Sequence, residues 1–375
     1  MTIDYLVALQ YVIAPFVMTL VGWIYSILRQ MNLTEANDFF KTLIIAVLPG
    51  LYFHQVGIQK TRYPYIVLLN EILVEITIHI LVGIFCLILP LRDKYKCFLE
   101  CCITLCSPNN LSCGSAIVYY LFGQDYVYVP IFQSIVQHLI LTPIHVFLTY
   151  NIINCDTSTS EVTDHKSSTD DDSEPRGDGI DHNDGQPLSN ISDEEMNVEH
   201  EANLHIMTDS NSHSEAQKVS RGWATFWNFA TPINVCTLIG VIWSSTRLTM
   251  PPFLEQFVLN LENASFSSYL FIIGVFVQNF SWRCGNTLHT YVYLFASYFV
   301  PSFIALFWCW VCGMEKDLTK MIVLTHALPR DIAPFILFCV NKGQFDDIAY
   351  TFFWSQFFLV PMQMLWVALI NNIVI

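Results

Sequence analysis

Charge is scarce in this 375-residue chain: 13% of its residues are Asp, Glu, Lys or Arg, against roughly a quarter in a soluble globular protein. Lys and Arg are the scarcer sign, 17 against 32 Asp and Glu, and no nucleic acid is expected as a partner. Glycine-rich nucleotide loops, zinc-protease spacings and Ser/His dyads at a meaningful separation are all missing, so the chain reads as a non-enzyme with no catalytic residues and no cofactor. The twelve cysteines do not form a disulfide framework, because most of them, Cys86, Cys106, Cys113 and Cys309 among them, sit inside apolar runs as small hydrophobes. Cys309 and Cys312 make a C-x-x-C without a second Cys or His pair nearby, and no metal site is expected. A cleavable leader is not evident, since the first apolar run is long enough to span a bilayer and more runs follow it.

Apolar residues are abundant: 53% of the chain is hydrophobic and 14% aromatic. A helix needs about 20 apolar residues to cross the hydrocarbon core of a bilayer. Ten runs are candidates: Tyr5–Ile27, Phe39–Val56, Ile66–Leu89, Cys97–Leu121, Val129–Tyr150, Thr225–Ser245, Ser267–Phe280, Leu288–Val311, Leu318–Val340 and Ile348–Ile370. Lipid offers backbone groups no partners, so runs of this length span as helices. The expected fold is an all-α polytopic membrane protein with ten transmembrane helices.

The charges collect in one place. Residues 151–222 hold 17 acidic side chains against four basic ones, with Ser, Thr, Asn and Gly between them and few aromatics. Such a segment cannot bury enough apolar surface to offset chain entropy and is expected to be a disordered loop. It divides the chain into residues 1–150 and 223–375, with five candidate spans in each. Ser192-Asp193-Glu194-Glu195 resembles an acidophilic kinase site.

The two parts carry related motifs. Thr19-Leu20-Val21-Gly22-Trp23-Ile24-Tyr25-Ser26 recurs 218 residues later as Thr237-Leu238-Ile239-Gly240-Val241-Ile242-Trp243-Ser244. Leu141-Thr142-Pro143 meets Leu359-Val360-Pro361 at the same offset, and Pro108 meets Pro329 at nearly the same one. An odd number of spans per repeat turns the second upside down relative to the first, an arrangement recurrent in transporters. Lys and Arg in the short loops favour a cytoplasmic loop 151–222 and both termini outside the cytosol. Asn263-Ala264-Ser265 then falls on the non-cytosolic side as a glycosylation acceptor.

Polar residues inside the spans mark the candidate site. Span four contains Ser107-Pro108-Asn109-Asn110-Leu111-Ser112-Cys113-Gly114, and span nine Leu328-Pro329-Arg330-Asp331-Ile332-Ala333-Pro334. Prolines with amides, a glycine or charges in mid-membrane break the helical ladder at matching places, which points to a binding site. The alternative is a pair of ordinary proline kinks with Arg330 and Asp331 paired to each other. Glu71, Glu75 and His79 form a stripe on one face of span three. A buried acid must face a cavity or a partner, and can carry a proton. Otherwise Glu71 sits at the membrane edge beside Lys60 or Arg62. Gln133 and Gln137 share a face of span five, either lining the same cavity or bonding between helices. His54 and His326 read as satisfied core histidines.

Assembled in this order, the motifs resemble those of the auxin efflux carrier (PIN and PIN-like) family. The resemblance rests on Val12-Ile13-Ala14-Pro15, Ala46-Val47-Leu48-Pro49-Gly50-Leu51-Tyr52, Pro108-Asn109 with Gly114, Cys284-Gly285-Asn286, and Ala327-Leu328-Pro329 followed by Ile332-Ala333-Pro334-Phe335. It covers nearly all of the chain except the acidic loop. It implies two inverted five-helix repeats with crossover helices in spans four and nine, a scaffold and a transport sub-domain, and elevator-type export of a small organic anion. It also implies a homodimer. Asn109 matches the family's substrate-binding asparagine, Glu71 lies near an acidic support position, and Gln133 or Gln137 matches a cavity glutamine. Two places depart from the family pattern. Ser115-Ala116 stands where the family has Ile-Pro, and Arg330-Asp331 replaces an uncharged pair. A guanidinium there could clamp a carboxylate.

The leading expectation is therefore a carrier of an auxin-like monocarboxylate in the plasma membrane or endoplasmic reticulum. The alternatives are a non-transporting receptor or scaffold built on a carrier fold, and a sodium-coupled organic anion symporter. Site candidates are Pro108, Asn109, Asn110, Gly114, Gln133, Gln137, Pro329, Arg330 and Pro334, with Glu71 and Glu75 as proton or support residues. Deleting 158–215 is predicted to leave the apolar core folded; size-exclusion chromatography of the deletion in detergent checks this, and loss of a monodisperse peak would count against the tether reading.

Overall fold

The computed structural model describes residues 3–57, 65–90, 93–145, 147–148, 232–246, 248–278, 287–331 and 346–373. The acidic segment 151–222 and Pro334 lie outside these residues. Met1–Cys155 and Asn228–Ile375 together form one compact unit, to which everything below refers.

Among the described residues there is no β-strand, and the elements are helices with π-helical turns between some of them. We number the helices α1 Tyr5–Arg29, α2 Leu33–Thr42, α3 Leu48–Gly57, α4 Tyr65–Ile88, α5 Lys94–Cys106, α6 Ser115–Phe122, α7 Tyr128–Val136, α8 Pro232–Thr246, α9 Pro252–Gln278, α10 Thr287–Val311, α11 Lys316–His326 and α12 Asp346–Ile373. Local chemistry sets several of their ends. The Asp4 carboxylate accepts from the Leu6 and Val7 N–H groups at the start of α1, Asn32 and Glu35 form a reciprocal capping box on α2, and Asp93 caps α5 through the Lys96 N–H. Each satisfies donors that a helix leaves orphaned at its start.

Among the described residues, seven stretches are long and apolar enough to cross a membrane: Tyr5–Arg29, Asp38–Gly57, Tyr65–Ile88, Gln124–His145, Pro252–Gln278, Thr290–Val311 and Tyr350–Ile373. A shorter apolar helix covers Pro232–Thr246. Their faces are sorted as lipid demands. On α4, Leu69, Ile76, Ile80, Leu81 and Ile84 point outward while Asn70, Glu71 and Glu75 are buried. Apolar side chains outside and polar ones inside reverse the soluble arrangement, because the surrounding solvent is hydrocarbon.

One expected span needs correction. The run expected at Ser267–Phe280 belongs to a helix beginning at Pro252, 27 residues long. Glu255 and Glu262 had disguised its first half as a loop. The sequon Asn263-Ala264-Ser265 consequently lies within α9, and the Ser265 hydroxyl is buried, donating to Val47 O (3.0 Å) and Leu261 O (2.7 Å). The sequon is thus part of a helix, with its Asn263 side chain exposed and its Ser265 hydroxyl held by backbone carbonyls.

α1, α3, α8 and α9 pack on one another, and α4, α5, α7, α10, α11 and α12 on one another, with α1 also meeting α6 and α12. Glycine makes the closest approaches in the first group. A Cβ at Gly22 of α1 would lie 1.9 Å from the Phe271 carbonyl oxygen of α9, and one at Gly274 the same distance from Thr19 O. A Cβ at Gly240 of α8 would lie 3.1 Å from Phe53 O of α3. Membrane helices gain little from burying apolar area in protein rather than in lipid, so small residues that bring backbones together govern their association. The stripe facing inward is the same in both copies of the repeated motif: Pro15, Thr19, Gly22 and Ser26 on α1, Ile233, Thr237, Gly240 and Ser244 on α8.

These two contacts differ in severity. Gly22→Ala forces two backbones apart, whereas Gly240→Ala needs a shift of a few tenths of an ångström. We expect Gly22→Ala to cost roughly 1–3 kcal/mol or more and Gly240→Ala clearly less. Thermal melting of the two variants in detergent checks the order.

Candidate functional site

α5 stops at Cys106 because Pro108 follows. Proline has no N–H to continue the ladder, and it disfavours the helical region for the residue before it; Ser107 accordingly lies outside the helical region, with φ −123° and ψ 56°. α11 stops at His326, with Pro329 three residues on. The two released segments meet. Pro108 and Arg330 form an antiparallel bridge, in which the Asn109 N–H donates to Pro329 O (2.9 Å) and the Asp331 N–H donates to Ser107 O (2.7 Å). The first segment then re-enters helix through a π-turn, Asn110–Gly114, before α6. Ser115-Ala116, standing where a proline was expected, continues smoothly as helix. The break sits earlier, at Ser107–Asn109.

Arg330 is 3% exposed, and its terminal nitrogens reach five carbonyl oxygens: Thr104 and Leu105 near the end of α5, His326 and Leu328 at the end of α11, and Ser297 of α10, at 2.7–3.3 Å. Thr104, Leu105 and His326 offer carbonyls that a helix leaves without partners at its C-terminus, where a cation also faces the negative end of the helix dipole; Ser297 lies mid-helix in α10, four residues before Pro301, which has no N–H to reach it. The guanidinium is thus turned to backbone, away from the carboxylate-clamping geometry the sequence suggested. Arg330 and Asp331 are not paired with each other by any contact among the described residues. The Asp331 carboxylate takes the Tyr269 hydroxyl of α9 and lies 3.8 Å from His138 Nε2.

Other predicted residues gather around this crossing. Asn109 and Asn110 are each 1% exposed, and both polar atoms of the Asn110 amide are buried without a hydrogen-bond partner. Gly114 packs against Leu328 and Pro130, where a Cβ would lie 3.0 and 3.2 Å away. Glu71 Oε2 stands 3.2 Å from His326 Nε2, and the Gln133 amide nitrogen 3.1 Å from His326 Nδ1. His326, expected to be a satisfied core histidine, is buried and joins spans three, five and nine, and Glu71 is buried within the protein. Gln137 is buried with both amide atoms unpartnered. Glu75 sits one turn along α4, beside His79 and Cys106.

Glu75, His79 and Cys106 bring ligand atoms within 4.8 Å of one another, a donor set that no single stretch of sequence displayed. His79 already uses both ring nitrogens, Nδ1 with the Glu75 carbonyl oxygen (2.7 Å) and Nε2 with His145 Nε2 (3.1 Å). A metal would have to displace one of these bonds.

A cavity of about 400 Å³ opens between α3, α6, α7 and α9. Ser115, Tyr119, Tyr120 and Gln124 line one side, Gln55, Glu262 and Asn263 the other. Among the described residues, none of the predicted site residues is part of its wall, although Gly114 adjoins Ser115 in the chain. Glu262 accepts from Gln55 Nε2 (2.9 Å) and is bonded to His54 Nδ1. The sequence signal for this group was an acid in helical register with the apolar residues that follow it.

Comparison with known proteins bears on the whole arrangement. The model of the family described as membrane transport protein matches residues 7–367. The chain belongs to this family, that of the auxin efflux carriers. Family membership and the seven apolar helices make it an integral membrane protein of transporter type. Auxin efflux carrier components 4, 7 and 3 of Arabidopsis thaliana are 28%, 27% and 27% identical to it over 111 residues, 28% of this chain. The matched stretch is under a fifth of the length of each, at 18%, 18% and 17%.

If Arg330 holds the crossing together, its loss should appear first as instability. Each buried carbonyl left unsatisfied costs roughly 1–3 kcal/mol. Arg330→Gln is expected to lower the melting temperature and the yield of monodisperse protein. A variant that melts like the parent and only binds ligand less well would contradict the geometry.

Proposed function

We propose that this protein is a carrier for a small organic acid anion, working by an elevator-type movement of the helices that carry the crossing. The observation that supports this most is the pair of helix breaks that meet at Pro108 and Arg330. Non-helical backbone inside a membrane protein is tolerated only where it is buried in protein or lines a cavity, and discontinuous helices of this kind form the substrate sites of secondary transporters. The helix entered through Asn110 presents its N-terminal end at the crossing, where partial positive charge favours an anion.

We assign the chain ten spans in two inverted five-helix repeats, 1–150 and 223–375. Contacts related by the repeat offset support this. Gly22 meets Phe271 O and Gly240 meets Phe53 O, pairs that interchange on adding 218 to Gly22 and Phe53. Val47 and Ser265, themselves 218 apart, are bonded directly. In this reading α1, α3, α8 and α9 are the scaffold and the other helices move. Asn109, Asn110, Gln133 and Gln137 bind the substrate beside Pro108, Gly114, Pro329 and Pro334. Glu71 and Glu75 support them, Glu71 through His326, and Arg330 fixes the backbone. The 151–222 loop is a cytoplasmic tether open to kinases, and the name of the auxin efflux relatives makes an auxin-like monocarboxylate the first substrate to try.

The test is uptake of labelled indole-3-acetate and benzoate into proteoliposomes, with unlabelled acid inside. Saturable uptake is expected, and Asn109→Ala should abolish it while the protein still melts cooperatively, because the crossing keeps the bond from the Asn109 backbone N–H to Pro329 O. Saturable uptake retained in the mutant would remove Asn109 from the site. No uptake by the parent, with ligand-dependent stabilisation still present, would favour a receptor.

A further inference from the structure

Resting on the carrier reading, we propose that Glu262 and His54 form a proton-binding pair on the wall of the cavity, and that the organic anion crosses together with one proton held there. The cavity is the volume among the described residues that joins α3 and α9 to α6 and α7, and its wall carries the Glu262 carboxylate but no Lys or Arg. An anion entering that space meets a like charge at short range, with low-dielectric walls that screen it poorly. A carrier for anions with such a wall needs a way to remove the charge.

The pair provides one. The Glu262 side chain is 20% exposed toward the cavity, and His54, 6% exposed, lies behind it and is bonded to it. Without an added proton, a neutral imidazole and a carboxylate carry one negative charge. With one proton, residing on either group, the pair is neutral. Gln55 fixes the second carboxylate oxygen through its Nε2 (2.9 Å), so the carboxylate stays in place in both states. The other titratable groups facing the cavity are the phenols of Tyr119 and Tyr120 on α6; α7 contributes Val127 and Ile131, and α3 adds Leu51 and Gln55, none of them charged. Proton binding at this wall therefore favours the entry of an anion into the cavity on its way to the crossing, and by linkage the coupling is reciprocal. Glu71 and His326, at 1% exposure each, lie away from the cavity wall and are poorly placed for this exchange.

The stoichiometry makes the proposal measurable. One monocarboxylate moving with one proton transfers no net charge. In proteoliposomes held at an imposed membrane potential, saturable benzoate uptake by the parent should be insensitive to the potential and should rise several-fold with an inward proton gradient, relative to protein-free vesicles. Glu262→Gln removes the proton site and the wall charge together. It should keep saturable exchange, lose the response to the proton gradient and gain one negative charge per benzoate. His54→Gln, a second variant in case the first is poorly folded, leaves the carboxylate without its partner and should raise KM at least tenfold. Parent uptake that carries a negative charge and ignores the proton gradient would overturn the proton site while leaving the carrier intact. Absence of saturable uptake of any carboxylate would overturn the carrier reading itself.

Discussion

A backbone that leaves its helix inside a membrane must find every hydrogen bond within the protein. The rest of this structure depends on how that demand is met at one point. Pro108 and Pro329 each end a helix where no water can take over the freed groups. The extended segments behind them solve part of the problem by pairing with each other through Asn109 and Asp331. They leave the last carbonyls of α5 and α11, and Arg330 gathers these from both helices at once. A lysine has three donors on a flexible stem and could not span the same set; the planar fork of arginine can. The charge is costly to bury, but two converging helix C-termini are among the few interior places that repay it.

The crossing is then tied to what surrounds it by side chains of a different kind. His326 stands between Glu71 and Gln133, linking three helices of the same packing group. Asp331 reaches the other way, to Tyr269 on α9. The first set of bonds stays within helices that pack on one another, so it can travel with them. The Tyr269–Asp331 bond connects the two packing groups and has to break if they slide. A hydroxyl donated to a carboxylate is worth of the order of 1.5–3 kcal/mol.

Much of this was legible in the sequence, for physical reasons that differ from residue to residue. Membrane helices announce themselves by length and apolarity, and α1, α4 and α10 lie where such runs were expected. Pro108 and Pro329 announce the breaks because proline chemistry is local. Gly22 and Gly240 were visible as a repeated motif, though only the structure shows that each receives a backbone carbonyl. What failed to show was whatever depends on a partner far away in the chain. His326 and His54 looked like isolated histidines because Glu71 and Glu262 are distant in sequence. Arg330 looked like a ligand clamp because its carbonyl partners carry no signature in side-chain letters. The first half of α9 was read as a loop because acids in a spanning helix lower its hydropathy, and the inward face that accommodates them exists only after folding.

That last error is instructive about the site. Glu262 falls outside the span expected at Ser267–Phe280, and it is a charge where the bilayer penalises charge. Its retention in α9 requires compensation, and the structure supplies it from His54 and Gln55, which are adjacent on α3. Those two residues follow directly on Phe53, whose carbonyl meets Gly240. The close helix contact made possible by glycine and the polar contact made by the imidazole thus belong to one turn of one helix. The helix packing that holds α3 in place therefore also fixes where the acid of α9 meets its partner and which way its carboxylate faces the cavity.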